Sequence, residues 1–503
     1  MTNLKVALYI CPMPSKKVLI IGAGIAGIAA AIRLAVKGYQ VEVFEANNYP
    51  GGKLAEIKQD GYRFDAGPSL LTMPQYIDEL FELAGKSPSD YFTYTRLNTI
   101  CKYFYEDGTQ LNARADTGEI AREVAAATNE PVETLLKYAA NSSDIYHITH
   151  KVFLEQSLHR LKTYWRWDTL KSILRLPQID AMRTMHQANQ RFFKDERMVQ
   201  FFDRYATYNG SNPYTAPATL NVVPHLEQHY GAYFPTGGMY SIITGLVKLA
   251  ESLRVKFHYN SLVDEIVLDS EKVKGLKVKG EVVDADIVIS NMDVWFTYHK
   301  LLKDYPNLFP KKILQQERSS SALVFYWGIS KKFPQLDLHN IFFSADYKAE
   351  FNHIWKEENI YNDPTIYLNI SSKYKADDAP HDCGNWFTMI NVPANTGQDW
   401  DKLINTAREN ILTKLSKILG EDISKLIVCE SILDPRSIEN KTSSYQGSIY
   451  GTSSNSKFAA FMRHANRSAK IKNLYFCGGS VHPGGGIPLC LLSAKIVSDW
   501  VDD

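Results

Sequence analysis

Lys16 to Glu45 constrains this chain more than any other stretch. The run Lys16 to Ile21 (KKVLII) is short, apolar and β-branched, as a strand buried on both faces must be. It leads into Gly22-Ala23-Gly24-Ile25-Ala26-Gly27, then into Ile28 to Val36 at helical spacing, which Gly38 ends. Tyr39 to Phe44 reads as a second strand, with Glu45 at its end. A G-x-G-x-x-G turn inside a strand–helix–strand unit, with an acid about 20 positions on, is the Rossmann fingerprint of an adenine dinucleotide site. Gly22 makes the tight turn, Gly24 lets the pyrophosphate approach the backbone, and Gly27 lets helix and strand pack closely. Ile25 and Ala26 are taken with the glycines as cofactor-binding, and the N-terminus of the helix that follows offers free N–H groups and a positive dipole end to the phosphates. Glu45, with Ala46 beside it, takes the two ribose hydroxyls, and its charge disfavours a 2′-phosphate.

At 503 residues the chain exceeds one simple core, so two or three domains are expected. A formal charge of +1 argues against nucleic acid as a partner. The scattered cysteines form no C-x-x-C pair and no zinc spacing, which fits a reduced, cytoplasmic setting. Met1 to Ser15 reads as a ragged tail, its apolar piece broken by Pro12 and Pro14. Val18 to Val36 is too interrupted by glycine and Arg33 to span a bilayer, so any membrane contact is expected to be peripheral.

After Glu45, Gly51-Gly52-Lys53 is a backbone-rich turn with a point charge, suited to phosphate. Tyr62 to Leu71 (YRFDAGPSLL) ends a strand in a turn through Gly67, Pro68 and Ser69, and Pro74 opens a helix. At the far end, Leu474 to Cys477 is strand-like, Gly478-Gly479-Ser480 is a second phosphate-compatible turn, and Leu489 to Val501 reads as a helix. Between them Gly484, Gly485, Gly486, Ile487 and Pro488 form a glycine loop before a helix N-terminus, which suits the flavin end of FAD.

The run GAGIAG, Glu45, GGK and FDAGPS resembles the FAD-binding amine-oxidase and carotenoid-desaturase superfamily. Asn473 to Leu492 (NLYFCGGSVHPGGGIPLCLL) is similar to the signature of bacterial-type phytoene desaturases, and PHLEQHYGAYFPTGGMYSI to acyclic 1-hydroxycarotenoid 3,4-desaturases. Lys53 stands where many relatives have Arg, which keeps the charge but not a bidentate grip. The resemblance implies an α/β chain with a discontinuous Rossmann-type FAD-binding domain (1–75, 225–300 and 440–503). A mixed-sheet substrate domain (76–224 and 301–439) would include a helical lobe at 130–200. It also implies that Val263 brackets the adenine.

It further implies a lipophilic carotenoid substrate, hydride transfer to flavin, oxygen or a quinone as electron acceptor, and a place on the inner face of the cell membrane. Lys151 to Arg197 reads as helical, and its bases, Arg166 among them, mix with Trp165, Trp167, Leu170, Ile173 and Leu176, either as in an interfacial helix or as in a helical lobe whose apolar side packs inward while the bases stay solvated. Thr219 to Phe234 is read as extended from Pro224, with His225, Glu227 and His229 on one face and no metal pair. Glu227 and His229 are the candidates for handling the proton lost on desaturation or for orienting the substrate.

A carotenoid leaves lipid rather than water, so the usual ~25 cal/mol per Å² of burial nearly cancels. Selectivity then falls to tunnel shape and polar ends, where an unpartnered hydroxyl costs about 1–3 kcal/mol. A phytoene desaturase, an isomerase and an oxygenase or ketolase use the same scaffold. An amine or porphyrinogen oxidase and a non-catalytic prenyl-binding escort are the alternatives of other classes.

Overall fold

The computed structural model describes residues 16–165, 167–456 and 462–502. The tail before Lys16 and Arg166 of the basic–aromatic stretch lie outside the described residues, as do the side chains of Leu170, Ile173 and Leu176.

Five parallel strands form the first sheet, in the order Lys256–His258, Gln40–Phe44, Lys17–Ile21, Ile287–Ser290 and Leu474–Phe476. Strand Lys17–Ile21 lies at its centre, and its alternate side chains serve two cores. Val18 and Ile20 face helices Ile25–Val36, Tyr240–Ser252 and Ile487–Val501. Leu19 and Ile21 face a three-stranded antiparallel sheet, Val263–Asp269, Lys272–Val278 and Glu281–Asp284. Both faces are therefore covered, which is why KKVLII carries no polar alternation. The strand from Val263 belongs to this covering layer and not to the parallel sheet. Asn260 and Ser261 tie its start to the second strand's end by donating to Asn47 O (3.0 Å) and Glu45 O (2.8 Å).

A second, seven-stranded sheet runs in the order Ile427–Leu433, Ser321–Ile329, Gly384–Val392, Ile366–Asn369, His339–Phe342, Thr99–Phe104 and Gln110–Arg114. It is mixed, because His339–Phe342 and Thr99–Phe104 pair in parallel while the other pairs are antiparallel. One face buries Leu323, Phe325 and Trp327 against the helix Trp400–Leu419. That helix presents Ile404, Ala407, Ile411 and Leu415, an apolar stripe at three-to-four spacing. The opposite face carries Tyr326 and Phe387 toward the strand Tyr62–Asp65. It continues through Tyr103, Ile341 and Phe343 into the helices Thr117–Ala127 and Glu196–Asp203.

Two expectations are corrected. Lys151 to Arg197 is not one helical stretch but the short helices Leu161–Tyr164, Trp167–Leu174 and Met185–Phe192 with a π-turn before them. Pro177 starts a 3₁₀ turn, Asp180 at φ 54° leaves helical space, and Thr184 opens the next helix with a capping box to Gln187. The segment from Thr219 is not extended either: Val223–Gln228 is an α-helix, and only Ala232–Pro235 is a strand. Pro224 sits in the helix's first turn, where its missing N–H costs no bond, so it starts the helix rather than arguing for a strand.

Candidate functional site

Parallel sheets present ligands at the carboxyl ends of their strands, and the first three central strands end at Gly22, Glu45 and Asn291. Gly22 N donates to Phe44 O (2.8 Å), folding the first turn back over the second strand. Glu45 is buried. Its Oε2 accepts from Ala23 N (2.8 Å) and its Oε1 from the backbone and side chain of Asn47 (both 2.9 Å). A carboxylate has about four lone-pair positions, so Glu45 keeps capacity for ribose hydroxyls. Ala46 next to it is exposed. Val263 packs with Ile21 and Phe44, beside the Glu45 end.

The second glycine turn closes on the first. Gly51 N donates to Ala23 O (2.8 Å), and Gly24 and Gly51 form a parallel bridge. A Cβ on Gly52 would lie 3.5 Å from Gly24 Cα. A Cβ on Gly27 would stand 2.2 Å from Gly22 O, which is why this helix can start so near its strand. Ile25 and Ala26 occupy its first turn, three residues earlier than the periodicity suggested.

Gly67 is held hard against Lys53: a Cβ there would fall 1.7 Å from Lys53 O. Pro68 is exposed, whereas Ser69 turns inward to Tyr367. The Lys53 ammonium is half-buried and donates to Ser448 O (3.2 Å) and Ile449 O (3.0 Å). Burial drives its pKa down to about 8, against the opposing pull of Asp293 and Cys490. A half-buried cation held by two carbonyls suits an anionic diphosphate.

From the other end of the chain, Gly478 and Gly479 lead to Ser480, whose Oγ accepts from Val294 N (3.0 Å). Gly486, Ile487 and Pro488 form the N-terminus of the last helix, which begins two residues earlier than expected; Cys490 in its first turn lies in the field of Lys53. The two ends of the chain meet on Asn291. Its amide oxygen, in the orientation that satisfies its neighbours, accepts from Gly24 N (3.2 Å) and Gly27 N (3.3 Å). A Cβ on Gly478 would stand 2.7 Å from the same side chain.

Sequence reasoning missed Asn291 as a site residue. The available signal was its place at the end of a parallel strand, the position Glu45 occupies on the neighbouring one. Also missed was the buried ion pair of Asp293 and Arg318, which stands over the same turns. Asp65 of the FDAGPS run, paired with Arg63, accepts from Met239 N (2.9 Å) and Tyr240 N (3.0 Å) and so anchors a helix start.

Glu227 and His229 lie apart from this cradle. Glu227 is buried beneath the seven-stranded sheet and accepts from Arg204 (3.2 Å), Tyr205 OH (2.6 Å) and Tyr208 OH (2.6 Å). His229 is exposed, one helical turn from His225, with the two rings stacked at 4.7 Å. The helix, not a strand, sends the two candidates in opposite directions.

Glycine turns joined from both chain ends and lying beside an aromatic sheet face are what a flavin-dependent oxidoreductase offers its cofactor. The chain belongs to the flavin containing amine oxidoreductase family, whose model matches residues 25–501. It is 51% identical over 486 residues to a 1-hydroxycarotenoid 3,4-desaturase of Flavobacterium sp. (strain P99-3), covering 97% of this chain and 99% of the other. It is 34% identical over 496 residues to a 4,4'-diapolycopene oxygenase of Methylomonas sp, at 97% and 98% coverage. Among solved structures, the fold is similar to an oxidoreductase from Methanosarcina mazei (TM-score 0.62, 15% identity, 96% and 100% coverage). It is also similar to cyclohexylamine oxidase from Brevibacterium oxydans IH-35A (TM-score 0.62, 13% identity, 97% and 100% coverage). FAD is the cofactor of this family, and the residues fit it: Glu45 would take the ribose, and the glycine turns with Lys53 would face the diphosphate.

Lys53 yields a signed pH prediction. Its folded pKa is about 8 against an ordinary 10.5. Between those values the unfolded chain binds more protons, so stability of the flavin-stripped protein rises with pH across that window. Lys53→Met removes this dependence and stabilises the stripped protein at pH 7, yet weakens flavin binding by about tenfold, the loss of one charge-assisted contact. Thermal unfolding at pH 7 and 9 checks the first effect, and an FAD titration the second.

Proposed function

We propose that this chain is a carotenoid desaturase that introduces the 3,4 double bond into an acyclic-ended 1-hydroxycarotenoid. One observation carries the substrate: identity of 51% along nearly the whole of both chains with a 1-hydroxycarotenoid 3,4-desaturase, against 13–15% for the solved amine-oxidase-fold neighbours cited above. When bound, FAD supplies a two-electron hydride acceptor. The chain's own residues do the rest. The turn from Gly67 to Ser69 links the cradle to the sheet, because Tyr326 OH donates to Ala66 O (2.9 Å) and Ser69 bonds Tyr367. Tyr326, Tyr367 and Phe387 thereby set a water-excluding aromatic wall beside the cradle.

Glu227 holds Arg204, Tyr205 and Tyr208 in place and acts as a positioning residue. Incubating the purified protein with a 1-hydroxylated carotenoid and its non-hydroxylated parent tests the assignment. The hydroxylated one gains a conjugated double bond, and equal turnover of the two would remove the polar-end reading.

The enzyme works at a membrane surface, on the inner face of the cell membrane, and passes its electrons to oxygen or a quinone. The support is an exposed aromatic segment: Trp165 is 85% exposed, Trp167 69% and Leu174 81%, with exposed Lys162, Lys171 and Arg175 around them. Tryptophan and leucine flanked by bases are the chemistry of interfacial helices. Among the described residues no helix is long and apolar enough to cross a membrane. Exchanging Trp165 and Trp167 together for Ala is expected to lower binding to anionic vesicles roughly tenfold or more. Co-sedimentation measures it, and unchanged binding would remove this segment from the contact.

A further inference from the structure

The aromatic face beside the cradle is crossed by one line of polar groups. Ser69 Oγ lies 2.7 Å from Tyr367 OH, which lies 2.7 Å from His339 Nδ1. Asn369 Nδ2 donates to Leu338 O (3.1 Å), which fixes the amide's orientation, and the same nitrogen donates to His339 Nδ1 (3.2 Å). His339 Nδ1 is therefore an acceptor. Tyr367 OH donates to it and in turn accepts from Ser69. The ring is neutral, since burial and the nearby charge of Arg204 push its pKa to about 3. Its proton must then sit on Nε2.

His339 is 3% exposed, and among the described residues its Nε2 has no acceptor. A buried N–H left without a partner is costly and rare in native proteins. Arg204 Nε is a second such donor on this face. Its guanidinium bonds Tyr103, which pairs with Ile341, two residues along the strand from His339. Both unmet groups are donors, so an oxygen suits this patch and a hydrocarbon does not.

We propose that His339 Nε2–H reads the hydroxyl oxygen at the substrate end nearest the reacting bond, making His339 a specificity-determining residue. This rests on the reading of the substrate as a 1-hydroxylated carotenoid. In such an end the oxygen is on C1, two bonds from the C3 that is dehydrogenated. Its reader must therefore stand beside the flavin cradle, not at a distant tunnel end. The polar line meets that requirement, because Ser69 belongs to the turn that Gly67 locks against Lys53. Tyr367 and Asn369 act through His339: by occupying Nδ1 they keep the proton on Nε2, pointing out of the line.

The test compares His339→Leu, His339→Gln and Tyr367→Phe with the wild type, each as purified flavoprotein. For every protein, kcat/KM and the equilibrium binding constant in vesicles are measured for a 1-hydroxylated carotenoid and its non-hydroxylated parent. The wild type is expected to favour the hydroxylated compound by about tenfold or more in both quantities. His339→Leu brings that ratio near one, His339→Gln restores part of it through its amide N–H, and Tyr367→Phe gives an intermediate ratio by freeing the tautomer. A purely structural histidine would lower turnover of both carotenoids and leave the ratio unmoved.

If the wild type discriminates and His339→Leu discriminates equally, the assignment to His339 is overturned while the substrate reading stands. If the wild type does not discriminate, the substrate reading itself fails. Should His339→Leu be isolated without flavin, His339→Gln and Tyr367→Phe decide the matter by the same ratio.

Discussion

Gly67→Ala yields a protein that loses its flavin on gel filtration. The added methyl would stand 1.7 Å from Lys53 O and 2.8 Å from Lys53 C, both backbone atoms with no rotamer to escape into. Either this turn or the Gly51–Lys53 turn must move, and with it the ammonium that Ser448 O and Ile449 O hold. Overpacking of this kind costs about 3 kcal/mol, on the order of a hundredfold in affinity. The ratio of flavin to protein absorbance after gel filtration reads the loss, and an FAD titration sizes it. Full flavin retention would mean that Gly67 and Lys53 do not form one wall of the cofactor site.

Glu227→Ala is expected to destabilise the protein by about 3–5 kcal/mol, the range for breaking a buried ion pair. The substitution strands the Arg204 guanidinium and also takes the acceptor from Tyr205 and Tyr208. Arg204 is itself packed over the rings of Tyr103 and Tyr205, so it has nowhere wet to retreat. His229→Ala, by contrast, changes stability by no more than about 0.5 kcal/mol, as exposed sites do, and leaves desaturation intact. Urea unfolding and pigment turnover separate the two. A Glu227→Ala protein of normal stability but no activity would move Glu227 from a positioning role into the chemistry, and an inactive His229→Ala would contradict its surface placement.

These opposite expectations for two residues two positions apart show where sequence legibility ended. Local signals were sufficient wherever one short segment carries its own reason. KKVLII, GAGIAG and the acid at Glu45 form one continuous strand–turn–helix–strand. Pro224 misled because proline fits both an extended run and a helix's first turn, and only packing against Arg204 and Tyr205 decides between them. Val263 lies beside the Glu45 end, yet its strand joins the covering sheet, since an apolar run does not say which edge it will pair with. His339 was beyond reach for a further reason. It becomes a site residue only when distant segments are brought together, as Gly24 and Gly478 are at Asn291. Glu45 was legible because its partner turn is 22 residues away; His339 was not, because it reaches the turn of Ser69 only through Tyr367.

The central claim is that flavin held between the two chain ends takes electrons from a carotenoid lying on the aromatic face of the seven-stranded sheet. Anaerobic titration of the purified yellow protein with a 1-hydroxylated acyclic-ended carotenoid tests it in one cuvette. The account predicts that the flavin absorbance bleaches in proportion to added carotenoid, while the carotenoid spectrum shifts to longer wavelength by one added conjugated double bond. Flavin that stays oxidised beside an unchanged carotenoid, while an amine bleaches it, would contradict the account.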